Sequence, residues 1–114
     1  MKAEYIELDG GRRVRILWNM NALGEFTELT GIEMSDLAGG KAKINELRTM
    51  AWCSAKEGEA AEGKELDLSE VEFGRLMTMT SIVEFSAILT RQSGQKKSLT
   101  ETLKSPRTFF RKKV

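Results

Sequence analysis

Histidine is absent from this chain, and cysteine, proline and tyrosine each occur once. Without histidine the commonest general acid/base and the commonest metal ligand are missing, which weighs against catalysis and metal chemistry. The single Cys53 excludes an intramolecular disulfide and reads as a buried thiol in an intracellular protein. No apolar run approaches the roughly 18 residues that span a bilayer, and the opening MKAEYIELDGG has neither the apolar stretch nor the cleavage site of a signal peptide. These absences predict a cytoplasmic chain with no membrane contact and no catalytic, cofactor-binding or metal-ligating residues.

What is present suits one hydrophobic core. The chain has 114 residues, 40% of them hydrophobic and 31% charged, a mixture that buries a core and stays soluble. The net charge of +1 hides an asymmetry: from Ser93 onward seven basic residues face only Glu101, a net of +6, whereas residues 1–92 carry 11 basic against 16 acidic residues, a net of −5. A compact domain over 1–93 and a basic C-terminal tail over 94–114 follow from this division.

The pattern YIEL, then Asp9-Gly10-Gly11, then RRVRILW predicts a β-hairpin, since glycine supplies the positive φ of a tight turn and Tyr5, Ile6, Leu8, Val14, Ile16 and Trp18 favour strands. Ala22, Leu23, Phe26, Leu29 and Thr30 share one face of a helix over about 21–30, and Gly31 is placed to end it in a left-handed conformation. Ser35 offers a cap for a short turn through Asp36 and Leu37, with a break at Gly39-Gly40. A further helix is expected to begin near Lys41, with Ile44, Leu47, Met50, Ala51 and Ala55 as its core stripe, widened by Trp52. The stretch EGEAAEGKE over 57–65 has no large apolar residue and reads as an exposed linker.

Ser69 and Glu72 form a capping-box signature that opens a helix expected to run from Glu70 to about Arg91. That helix is apolar around more than one face, and a stripe of about 100° is enough for ordinary packing, so part of it is expected to meet a partner chain. Phe73, Met77, Met79, Ile82 and Phe85 are the candidate contacts there, the methionines because thioethers repack around different partners. Beyond Gly94, Leu99 and Leu103 could support a short helix ending before Pro106. The fold class expected is α+β: an N-terminal hairpin followed by three or four helices.

Other motifs carry less. The carboxylates Glu57, Glu59, Glu62 and Glu65 match neither a calcium loop nor, on a solvated linker, a rigid acid/base pair. Gly10-Gly11 and Gly39-Gly40 fit neither a dinucleotide fingerprint nor a phosphate loop. In the tail, Lys96, Lys97, Arg107, Phe109, Phe110 and Arg111 combine charge with aromatic rings. They are candidate partner contacts and, with Lys112 and Lys113, carry the alternative reading of a small nucleic-acid-binding protein.

A hairpin with a DGG turn, a helix ending Phe26…Leu29-Thr30-Gly31, a helix bearing Ala51-Trp52, an acidic stretch and Leu68-Ser69-Glu70 opening the last helix make a recognisable order of parts. Over about residues 4–90 it resembles the tail assembly chaperones of long-tailed phages and prophages. The resemblance implies a small non-enzymatic protein that coats the tape measure protein and helps recruit tail tube subunits in the host cytoplasm. It also implies a longer frameshifted form, with which the Lys96-Lys97 pair is compatible. The family has no catalytic or ligand signature to transfer, and homo-oligomerisation stays open.

Overall fold

The computed structural model describes residues 2–33, 36 and 43–93. Two strands, β1 (Tyr5–Glu7) and β2 (Arg13–Arg15), pair antiparallel with Ile6 opposite Val14. Gly10 and Gly11, at φ 89° and 86°, make the turn that an L side chain would strain, as the DGG sequence predicts. Strands of three residues are marginal alone. Here Ile6, Leu8, Val14 and Ile16 face a core completed by helices, so tertiary burial holds the hairpin.

Helix α1 (Met20–Thr30) begins where the Asn19 side chain accepts a hydrogen bond from the Ala22 amide, and it ends at Gly31, at φ 75°. Its burial is confined to Ala22 and Phe26 in the first two turns, which leaves Leu29 exposed despite its matching helical angle. Helix α2 (Ile44–Ala61) starts three residues later than the sequence suggests, with Glu46 reaching back to the Lys43 amide at 2.9 Å. Leu47, Met50, Ala51, Cys53 and Ala55 are buried, whereas Ile44, at the first helical position, is exposed.

The expected linker over 57–65 is the main correction. Residues 57–61 continue α2, and Gly58 and Glu59 are buried against β2. Alanine and glutamate are strong helix formers, and Gly58 is there because the β2 backbone runs past it: a Cβ would lie 2.0 Å from the Arg15 carbonyl oxygen. The helix ends at Ala61, and the chain turns away through Gly63, which has φ 77°.

The second correction concerns the helix expected over 70–91, which is two helices, α3 (Glu70–Leu76) and α4 (Met79–Ser93). The Ser69–Glu72 capping box opens α3 as predicted. Met77 is extended, at ψ 137°, and Thr78 caps α4 reciprocally with Ser81: each hydroxyl accepts from the other residue's amide, at 3.0 and 3.1 Å. Among the described residues the result is an α+β fold, a hairpin followed by the four helices α1 to α4, around a core that includes Phe26, Phe73 and Phe85. The turn expected at Ser35, the break at Gly39-Gly40 and the short helix around Leu99 and Leu103 lie outside the described residues, although Asp36 itself is helical.

Candidate protein-interaction surface

The hairpin is held by polar contacts from distant elements, and these account for most of the conspicuous charged and polar groups. Ser81 Oγ donates to the Glu7 carbonyl at 2.6 Å, and the Asp9 amide donates to the Leu76 carbonyl at 2.7 Å, fixing α3 and α4 against β1. On the other strand the Arg15 amide donates to Glu59 at 3.1 Å and the Leu17 amide to the Ser54 carbonyl at 3.0 Å. Gln92 closes the ring: its Oε1 accepts from the Trp18 amide at 2.7 Å and its Nε2 donates to the Ile16 carbonyl at 2.9 Å.

Three of the four carboxylates expected on a solvated linker are therefore tie points, while Glu65 is exposed. Glu57 accepts from the side chains of Asn19 and Asn21, Glu59 from β2, and Glu62 from the Tyr5 hydroxyl. That last bond, with burial and the carboxylate's charge behind it, holds the Tyr5 hydroxyl above its ordinary pKa. Cys53 is buried, and desolvation pushes its thiol up to about 12, so it is an apolar filler at neutral pH. Among the described residues no three His, Cys, Asp or Glu side chains gather in a way that could hold a metal ion. No described helix is long and apolar enough to cross a membrane.

Of the candidate contacts on the last two helices, Phe73 and Phe85 are both fully buried in the core. Their inclusion as partner contacts is thus corrected: in this fold no atom of either side chain reaches the surface. Met77 and Ile82 are half-buried against the same core. Met79 alone of the five is openly presented, at 75% exposure. Lys96, Lys97, Arg107, Phe109, Phe110 and Arg111 lie outside the described residues.

The second apolar face of α4 survives this correction with different members. Ser81, Phe85, Ile88 and Leu89 point inward. Met79, Val83 and Ala87, each four residues from the next, form an exposed stripe on the other side, with Val83 at 67% exposure. Val83 and Ala87 were legible as apolar helix residues but not as surface, because the sequence assigned inward and outward faces to one uninterrupted helix. Restarting the helix at Thr78 sets which face turns inward.

Among the described residues a second uncovered surface, not expected from the sequence, runs along α1. Met20, Leu23, Gly24, Thr27, Ile32 and Glu33 line an open groove of about 770 Å³. The signal for it was the breadth of the α1 pattern: Leu23 and Leu29 were more apolar surface than a helix buried only at Ala22 and Phe26 requires. No family model, curated protein or solved structure matches the chain.

Proposed function

We propose that this chain is a non-enzymatic protein-interaction module of the tail assembly chaperone kind, which binds tape measure and tail tube proteins during phage or prophage tail assembly. The observation that carries the reading is the Met79–Val83–Ala87 stripe. A soluble holdase needs apolar surface at helical spacing that can receive the apolar face of a partner helix, and such helix-on-helix contacts use anchors three or four residues apart. The titratable groups in the described region are consistent with this role, since the most unusual of them, Tyr5 and Cys53, sit in structural contacts. The order of parts from the DGG hairpin to Leu68-Ser69-Glu70 adds the resemblance to that family.

The test is co-expression with candidate tape measure and tail tube proteins followed by co-purification at low and high salt, with nucleic acid followed by absorbance. An apolar interface survives high salt, and Val83→Asp, at an exposed position, abolishes the capture while leaving the fold intact. Recovery of nucleic acid alone, lost as salt rises, would replace this reading with that of a nucleic-acid binder acting through Lys96, Lys97, Arg107, Arg111, Lys112 and Lys113.

A further inference from the structure

The groove along α1 sits in a one-sidedly charged part of the sequence. Between Arg15 and Lys41 there is no basic residue, while Glu25, Glu28, Glu33 and Asp36 give the segment a net charge of −4. Glu25 is paired with Lys56. Glu28 and Glu33 are exposed, and neither forms an ion pair among the described residues. Helix α1 also has no basic residue in its last turn, so the partial negative charge of its carbonyl end adds to that of Glu33. The groove therefore offers an apolar floor of Met20, Leu23 and Ile32 with Glu33 in its lining, and Glu28 follows the lining residue Thr27. A segment that fits it carries apolar side chains interleaved with lysine and arginine.

Residues 94–114 have that composition. Leu99, Leu103, Phe109 and Phe110 alternate with seven basic residues against Glu101 alone. Where α4 delivers this segment is fixed by geometry: Gln92 is bonded to the Trp18 amide and the Ile16 carbonyl, and Asn19 caps α1. The segment therefore leaves α4 next to a residue anchored two positions before Met20, the first residue of the groove. Helix α1, with its 11 residues, is about 16 Å long. The 21 residues after Ser93 could reach about 70 Å if extended, so length does not limit contact with the whole groove.

We propose that residues 94–114 lie in cis along the outer face of α1, with leucine and phenylalanine side chains in the Met20–Ile32 groove and basic side chains beside Glu28, Glu33 and the carbonyl end of the helix. The inference is independent of the assembly-chaperone reading, since it concerns α1 and not the α4 stripe. It makes the groove a site for basic, apolar-studded segments, occupied by the chain's own tail at an effective concentration that an external peptide must overcome.

The experiment uses the full chain with a nitroxide attached to Ser105→Cys. Cys53 stays unlabelled at neutral pH because it is buried and its thiol is protonated. Paramagnetic broadening is expected at the amides of Leu23, Thr27 and Ile32. Glu28→Lys with Glu33→Lys should lower the closed-to-open ratio about tenfold at low salt, because two exposed ion pairs are replaced by repulsion. A second label at Ser98→Cys and the milder Glu28→Gln with Glu33→Gln pair provide the same comparison should the reversal variant not fold. Broadening confined to the end of α4, centred on Met79 and Val83, or unchanged by the charge variants would overturn the proposal. So would broadening that appears in an isotope-labelled chain mixed with a separate nitroxide-bearing copy and depends on concentration, since the occupant would then be a second molecule.

Discussion

Gly58 and Gly24 both sit inside helices, yet their surroundings are opposite. A Cβ on Gly58 would collide with the Arg15 carbonyl, while a Cβ on Gly24 would meet nothing within 4 Å. The difference separates two regions of the molecule. Around the hairpin, backbone and side chain are interlocked: Glu59, Ser81 and Gln92 each satisfy a backbone group of a strand or its extension. On the outer faces of α1 and α4, apolar side chains such as Met20, Met79 and Val83 stand uncovered. A buried polar group without a partner is costly, so interlocking of this kind is what a permanent interior needs. The exposed apolar side chains of α1 and α4 lie outside that interior.

The sharpest way to break this comparison lies within α4. Phe85→Ala should destabilise the fold by about 3–5 kcal/mol, because a fully buried ring leaves a cavity. Val83→Ala, two residues away on the exposed face, should change stability by less than about 0.5 kcal/mol. Equal losses in chemical denaturation would mean the stripe is covered. The glycine pair comes next. Gly58→Ala should cost about 3 kcal/mol through forced movement of β2, reversing the gain of about 1 kcal/mol that alanine ordinarily brings to a helix. Gly24→Ala should show that ordinary gain, read as a raised Tm.

A smaller effect is expected at the junction of α3 and α4. Thr78→Ala removes the hydroxyl that accepts from the Ser81 amide and should cost about 1 kcal/mol. An unchanged denaturation midpoint would show that packing alone restarts the helix. The smallest effect concerns Asp67, whose hydrogen bond from Arg12 holds its carboxyl below its ordinary pKa. A carboxylate with a lowered folded-state pKa adds stability above its unfolded value and loses it as pH falls through the folded one. Arg12→Ala should therefore be slightly less stable than the parent at neutral pH, and the two should converge in strong acid. A difference that persists there would place the effect of Arg12 elsewhere.

What could be read directly were features decided within a few residues. The DGG turn, the Gly31 helix end, the Ser69–Glu72 capping box and the burial of Cys53 follow from backbone sterics, local hydrogen bonds and thiol chemistry. The surface of the candidate site was only partly legible: of the apolar candidate contacts Met79 is exposed, while Phe73 and Phe85 are core. An apolar side chain does not announce whether it packs inward or waits for a partner, since the same transfer free energy drives both.

By itself, then, the sequence determined the α+β order of a hairpin and helices and the starts and stops of several elements, because these depend on neighbours along the chain. Tertiary structure alone decided that 57–61 is helix pressed on β2 and not linker, that the apolar run after Glu70 breaks at Thr78, and which apolar faces of α1 and α4 remain uncovered. Each of those outcomes depends on an element far away in sequence: the Arg15 backbone that requires Gly58, the Glu7 carbonyl that takes the Ser81 hydroxyl, and the strand extension that holds Gln92. Contacts of that kind have no signature in local composition, since they exist only once the distant segments have met.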